Sequence, residues 1–489
     1  MHFSHADNVR SIPSVIDGLK PAQRKVLYGC LRKKLGKGDE MKVVQLAGYI
    51  AEQTAYHHGD TSLHATIINM AQDFVGANNL PLLTAGGQFG TRAKGGNDFA
   101  SPRYIFTGLH PLARLLFPEE DDAQLEYNRE DDQQVEPVFF VPILPTLLVN
   151  GSYGIGTGWS TLIPPHNPLV VAEHTERLIR GESVAHSPIT MKKAKKGGAS
   201  MLHPWIRGFT GDIDRVSDAR GLTYRTRGRM TRVNKTVLEI DELPYGTWTE
   251  DYKQHLLKLC EDGDIKRFTE DHTHRAVKFT LAGSKLQLDA LEGESEGDLY
   301  AKLRLDGPLS MRNMHAFDKD GRIVHYNSAE EVAEEHHSVR LGAYDKRKQS
   351  LMRKYRVDVE TSANKSRFVR ELLSGALDLL PSGGGARTNE LISSLRSTGF
   401  ATSEQLRLLS ESESEASASA KSSNSASDYK YLLDMPIQSL TEERVVALDK
   451  AASEAKGKLD GLVASSPEDL WMRDLDKFRV AAEKQKDYR

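Results

Sequence analysis

Gln88-Phe-Gly-Thr-Arg92, Lys94-Gly-Gly96 and Ala100-Ser-Pro-Arg-Tyr104-Ile-Phe-Thr107 form one glycine-rich, cationic cluster that ends on a tyrosine. A tyrosine beside an arginine says little alone, because most such tyrosines are packed or simply solvated. The setting adds chemical logic. A phenol ordinarily titrates near pH ~10 and needs help to attack phosphorus. Arg103 supplies a permanently charged fork suited to non-bridging phosphate oxygens. Gly90, Gly95 and Gly96 would let backbone approach a polynucleotide closely.

Upstream of this cluster the pattern is mainly helical. Ser14 to Lys34 reads as a helix after Pro13, interrupted near Gly18 and Pro21. Thr61 to Phe74 reads as another, with Leu63, Ile67, Ile68, Met70 and Ala71 near a helical repeat. Helices with short strand-like pieces over about 100 residues suit a winged-helix variant of the helix-turn-helix fold. From Met1 to Tyr104 there are 12 Lys and Arg against 8 Asp and Glu, a net of +4, so a basic face is available there despite the whole-chain charge of −3. From Ile105 to Glu136 the count is 2 against 9, a net of −7.

Downstream the texture changes. Between about Phe117 and Met311 the apolar runs are short. Val237 to Ile240, Val277 to Leu281 and Tyr300 to Leu305 alternate as strands do, which predicts an α/β domain. Met191-Lys-Lys-Ala-Lys-Lys-Gly-Gly198 reads as a solvated basic loop. From about Ser328 to Leu380, and again from Thr441 to Tyr488, the pattern is long-helical. Val332, Val339, Tyr344, Leu351, Tyr355, Phe368, Leu372 and Leu377 mark a seam on the first, and Val445, Leu448, Leu459, Leu462, Leu470, Leu475 and Phe478 on the second. Two such helices around an insert predict an antiparallel out-and-back pair. The insert's Ser/Glu-rich stretch, Ser410 to Ser427, lacks apolar anchors and reads as a disordered loop.

Several classes are excluded or disfavoured. No apolar run approaches the roughly 20 residues of a membrane span. The most apolar stretch, Val138 to Val149, is short, holds Pro142 and Pro145, and reads as core. Cys30 and Cys260 are too few for a disulfide framework and lack zinc spacing, and they suggest a reducing compartment. Gly154-Ile-Gly-Thr-Gly158 lacks the Gly-Lys-Ser/Thr ending of a phosphate loop, which argues against ATP binding by this chain.

A series of blocks then carries a resemblance. Ser11-Ile-Pro-Ser-Val-Ile-Asp-Gly-Leu-Lys-Pro-Ala-Gln-Arg-Lys-Val26, Tyr56-His-His-Gly59, Phe74-Val-Gly76 and the tyrosine cluster come first. Val135-Glu-Pro137, Leu148-Val-Asn-Gly-Ser-Tyr-Gly-Ile-Gly-Thr-Gly-Trp-Ser160, Glu242-Leu-Pro244 and Thr247-Trp-Thr249 follow. Met311-Arg-Asn-Met-His-Ala-Phe-Asp318 and Tyr431-Leu-Leu-Asp-Met-Pro-Ile-Gln-Ser-Leu-Thr441 complete them. In this order along most of the chain, they resemble the breakage-reunion region of eukaryotic-type type IIA DNA topoisomerases, rather than bacterial gyrase or topoisomerase IV.

The resemblance implies an α+β multidomain fold. A winged-helix DNA-binding domain would occupy 1–116, and an α/β tower domain 117–325. An outgoing coiled-coil helix would occupy 326–380, a small helical exit-gate region 381–440, and a returning helix 441–489. It makes Tyr104 the nucleophile, Arg103 its transition-state partner and His58 a residue that hydrogen-bonds the scissile-strand region. Arg10, Lys20, Arg24 and Lys25 fall on positions that line DNA, and Arg92 and Lys94 join them. Ile155 falls on the residue that wedges between base pairs and bends the duplex. The implied partners are double-stranded DNA and a second copy of the chain, in the nucleus. Mg²⁺ and ATP serve the whole enzyme. They would be bound by ATPase and metal-binding (TOPRIM) modules absent from this chain and supplied by the same full-length chain or by a separate polypeptide. No metal or cofactor site falls on this chain, and alone it is expected to cleave DNA poorly.

Overall fold

In the computed structural model, residues 2–36, 38–182, 202–218, 221–273, 276–284, 296–377, 388–410, 426–436, 438, 440–485 and 488 are described. The basic loop at 191–198 and nearly all of the Ser/Glu-rich stretch lie outside them. The chain divides into two compact units, one of Met1–Leu341 with Trp471–Arg489 and one of Gly342–Leu470.

The first unit opens with α1 (His2–Ser11) and α2 (Pro21–Arg32). Pro21 sits where a helix needs no amide donor, and the Gln23 side chain accepts from the Lys20 amide, which together fix the start of α2. Strand β1 (Met41–Lys42) leads into α3 (Val43–Gln53), whose Val43, Leu46, Ala47 and Ile50 make one buried stripe. A Cβ on Gly29 would lie 2.6 Å from Ile50 Cγ1, so α2 and α3 pack almost backbone to side chain. Helix α4 (Asp60–Ala71) buries the Leu63, Ile67, Ile68, Met70 and Ala71 face expected of it. It stops before Phe74 because Gln72 leaves the helical path. The Gln72 amide donates to the carbonyls of Phe89 (2.8 Å) and Gly96 (3.0 Å). Strand β2 (Phe106–Thr107) pairs antiparallel with β1.

Two hairpins follow, β3 (Tyr127–Glu130) with β4 (Gln133–Pro137) and β5 (Ser152–Ile155) with β6 (Ser160–Ile163). Asp17 is fully buried among these elements. Its carboxylate accepts from Arg24 Nε at 2.7 Å, Arg24 Nη2 at 3.0 Å, the Leu19 amide at 3.0 Å and the Phe140 amide at 2.9 Å.

The rest of this unit is sheet with flanking helix. Strands β7 (Asp212–Asp218) and β8 (Gly221–Arg227) pair, and β13 (Asp306–Ser310) pairs with β8. Strands β9 (Arg229–Asn234), β10 (Val237–Glu242), β11 (Arg267–Glu270) and β12 (Phe279–Ala282) form an antiparallel sheet in the order β11-β12-β10-β9. Leu238 and Ile240 alternate inward and share a core with Leu256 and Leu259 of the helix Thr249–Glu261. The strand expected over Tyr300 to Leu305 is absent. A helix, Glu296–Lys302, occupies its first part, because Leu303 falls one helical turn after Leu299 and Tyr300 and the three bury together. Strands β14 (His315–Phe317) and β15 (Ile323–His325) form a further hairpin that bonds Val15 and Pro13 through Phe317.

Three imidazoles in this unit are held neutral, chiefly by burial. His110 and His166 are lowered to about 4, and His336, which also faces Arg340, to about 3. Each keeps its full contribution to stability above its ordinary value of 6.5. Each loses it as pH falls from there toward its folded value, since only the unfolded chain then gains the proton. Denaturant midpoints measured between pH 7 and pH 4 are expected to fall steadily. Replacing His336 by glutamine is expected to flatten that fall, and an unchanged slope would contradict this assignment.

The second unit is helical. Its small core joins Phe368, Leu377, Ile392, Leu395, Phe400, Tyr429 and Leu432. Within this unit, the helix Ala329–Leu373 meets the helix Glu442–Ala464. Arg370 bonds Asp449 at 2.9 Å, and Lys458 lies 5.8 Å from the Tyr355 ring centre, so the two run antiparallel. The long return read from Thr441 to Tyr488 is two helices, broken before Pro467, and its second helix, Pro467–Glu483, belongs to the first unit from Trp471 onward.

Candidate active site

Tyr104 stands on a turn whose backbone is tied on three sides. Its amide donates to the Ser101 carbonyl at 2.9 Å, with Pro102 in the second position of the turn, where its fixed φ is favourable. The first amides of α3 hold both flanks. Val43 N donates to Ile105 O at 3.1 Å and Val44 N to Pro102 O at 3.2 Å. These amides lack partners within their own helix, so the tyrosine turn satisfies the helix start and the helix start fixes the turn. Ile105 is buried as the anchor, and Phe106 pairs with Gly86 in both directions at 2.8 Å. Tyr104 is left 76 % exposed. Arg103, its neighbour, is exposed too.

The structure redistributes the other sequence candidates. Arg24 and Arg92, read as lining DNA, are buried instead. Arg24 is engaged by Asp17, and Arg92 is paired with Glu242 and donates to Leu243 O at 3.1 Å. A guanidinium so engaged cannot also reach a phosphate without leaving a carboxylate uncompensated. Lys25 donates to Glu136 at 2.8 Å and to the Thr54 carbonyl at 2.6 Å, so it too is largely internal. Lys20 donates to the carbonyl of Tyr153 at 2.8 Å, and burial lowers its pKa from the ordinary lysine value. Arg10, paired with Asp7 at 3.1 Å, and Lys94 stay at the surface with Arg103. His58 is exposed beyond the far end of α3 from the tyrosine turn, with its ring 5.5 Å from that of Tyr56. No hydrogen bond among the described residues joins it to Tyr104 or Arg103.

The glycines of the cluster do a different job from the one expected. A Cβ on Gly90 would meet Gly96 O at 2.4 Å, and one on Gly95 would meet the Trp248 ring at 2.5 Å. They let the loop fold on itself and against Trp248 rather than clear space for a ligand. Asp98 closes the same loop, accepting from the Thr91 amide at 2.8 Å and its hydroxyl at 2.5 Å. Burial opposes ionisation of Asp98, but these bonds and Lys94 outweigh it and hold the carboxyl below the usual range.

Ile155 lies at the end of β5 and is 65 % exposed. The turn of its hairpin is closed by Gly156 N donating to Trp159 O at 2.8 Å. Among the described residues no group of three or more His, Cys, Asp and Glu could hold a metal ion. In the acidic run after Pro118, Asp121 pairs with Arg340 and Asp122 with Arg114. No helix among the described residues is long and apolar enough to cross a membrane.

A solvent-facing tyrosine–arginine pair is thus pinned by a helix start inside a mixed α/β unit, in a chain that also builds a long-helical unit. The family model for the A-type chain of DNA gyrase/topoisomerase IV matches residues 10–476, and the chain belongs to that family. It is 38% identical over 510 residues to the DNA topoisomerase 2 of Saccharomyces cerevisiae, covering 98% of this chain and 34% of that protein. It is also 38% identical to that of Arabidopsis thaliana, covering 99% of this chain and 32% of that protein. The chain thus spans about a third of the length of the curated relatives it matches. A crystal structure of the Plasmodium falciparum topoisomerase II DNA-binding, cleavage and re-ligation domain superposes with a TM-score of 0.87 at 35% identity, covering 99% of this chain and 63% of that one.

Proposed function

We propose that this chain is the DNA breakage-and-reunion part of a type II DNA topoisomerase and that Tyr104 is its nucleophile. The observation that carries the proposal is the Tyr104 hydroxyl, presented to solvent on a turn fixed by the start of α3 with Arg103 beside it. The phenolic oxygen attacks a backbone phosphorus in line. A Tyr104–phosphorus bond forms as the phenol gives up its proton, the bond from phosphorus to the 3′ oxygen breaks, and that oxygen leaves and takes up a proton, so none is gained or lost overall. Arg103 binds the non-bridging oxygens, whose charge is concentrated in the transition state. One phosphodiester replaces another, so rejoining is the reversal of cleavage and consumes no ATP.

Two copies of the chain, each cutting one strand, would open a duplex. A second duplex would pass through and leave by a lower gate, changing DNA topology and separating entangled sister chromosomes in the nucleus. In this account residues 1–116 act as a winged-helix domain and 117–325 as the tower. The antiparallel helices and small helical core of the second unit carry the exit gate. His58 hydrogen-bonds near the scissile strand, Arg10 and Lys94 contact DNA backbone, and Ile155 wedges between base pairs. Arg24 and Arg92 serve the fold. Mg²⁺ and ATP belong to the whole enzyme, on segments other than those described.

Strand polarity tests the chemistry. Protein carrying this chain, supplied with its metal-binding partner segment and Mg²⁺, is trapped with detergent on end-labelled duplex. The 5′ end at each break is expected to be linked to protein and the 3′ end to be a free hydroxyl. Protein on the 3′ end would overturn the mechanism.

A further inference from the structure

The ribbon that carries Ile155 presents a second large side chain on the same side. Tyr153 and Ile155 alternate with Gly154 along β5. Each is 65 % exposed, while Gly154 is buried. The inner side of the ribbon is fastened at several points. A Cβ on Gly154 would lie 2.0 Å from the Ser11 carbonyl oxygen, so α1 lies directly beneath it. The Lys20 ammonium holds the Tyr153 carbonyl at 2.8 Å, and the Thr157 hydroxyl donates to Asp7 at 2.9 Å. Turning Tyr153 inward would break all of these contacts, so its ring stays presented outward.

We propose that Tyr153 is a second DNA-contacting wedge, set against the same groove of the bent duplex two base-pair steps from Ile155. Side chains two apart on a strand are separated by about 6.7 Å. Stacked base pairs rise by about 3.4 Å each, so the two side chains match alternate steps. The flat ring can lie on an opened base step, and its hydroxyl can donate to the acceptors that every base pair shows in the minor groove. The proposal rests on reading Ile155 as the bending wedge. Lys20, whose sequence position suggests a phosphate contact, then acts as a positioning residue that sets the ribbon.

The test uses a duplex labelled at both ends for energy transfer, with binding and bending read for the parent protein and for Tyr153→Ala, Tyr153→Phe and Ile155→Ala. Loss of one stacked contact weakens binding by about 5- to 150-fold, so Tyr153→Ala is expected to lose affinity in that range and part of the bend. Its melting temperature should hardly move, because most of the side chain is exposed, and the salt dependence of binding should not change, because no charge is removed. Tyr153→Phe is expected to keep most of the effect. If Tyr153→Ala binds and bends like the parent while Ile155→Ala does not, the Tyr153 contact is refuted and the Ile155 reading stands. If Tyr153→Ala is impaired and Ile155→Ala is not, the Tyr153 contact is upheld and the Ile155 reading fails. If neither matters, both fall. A lowered melting temperature for Tyr153→Ala assigns the side chain to the fold and also overturns the proposal.

Discussion

Tyr104→Phe is expected to leave the fold and DNA affinity in place and to abolish covalent DNA capture. The lost atom is one oxygen on a side chain 76 % exposed, so stability should change by less than about 0.5 kcal/mol. Removing the atom that forms the new bond removes the chemical step itself, and trapped complex should drop by more than about a thousandfold. Binding rests on other residues and on backbone contacts, so affinity should stay within about twofold. Arg103→Lys offers a graded comparison. It keeps the charge but loses the two-point grip on phosphate oxygens, so trapping should fall while binding and its salt dependence hold. The assay is trapped complex per bound protein. Residual capture near the parent level in Tyr104→Phe would mean that another group is the nucleophile.

Asp17→Ala is expected to be among the most destabilising single changes in the first unit. The carboxylate is fully buried and holds both the Arg24 guanidinium and the Phe140 amide. Its removal strands a buried cation, which costs about 3–5 kcal/mol, far above a typical surface change. Exchanging both partners for apolar residues, Asp17→Leu with Arg24→Met, should recover much of the loss because no charge is left inside. Urea unfolding of the parent and the two variants decides this. A loss under about 1 kcal/mol for Asp17→Ala would return Arg24 to the surface and reopen its role as a DNA contact.

The contrast between Arg24 and Arg103 shows where sequence was enough. Arg103 and Tyr104 sit in a run of local interactions. Pro102 sets the turn, Ile105 anchors it, and α3 begins where its amides are needed. The Pro102 turn and the Ile105 anchor act over a few residues and were within reach of the sequence, as was the α4 face, whereas the grip of Val43 and Val44 on the turn spans about sixty positions and was not. Arg92 depends on Glu242, which lies 150 positions away, and nothing local distinguishes it from the exposed Lys94. Gly90 and Gly95 look like clearance for a ligand because glycine reports only that something is close. What is close, Gly96 and Trp248, is a tertiary fact. Tyr300 to Leu305 alternates like a strand over too short a window to exclude a helical repeat, and packing of Leu299, Tyr300 and Leu303 settled it as helix.

The atom that joins DNA can be identified directly. Trapped complex is digested with nuclease and trypsin, and the nucleotide-bearing peptide is sequenced by mass spectrometry. Cleavage after Arg103 and Arg114 would release residues 104–114, and the adduct is predicted there, on the Tyr104 oxygen. An adduct on any other residue, or none on a protein that cuts both strands, would contradict the account.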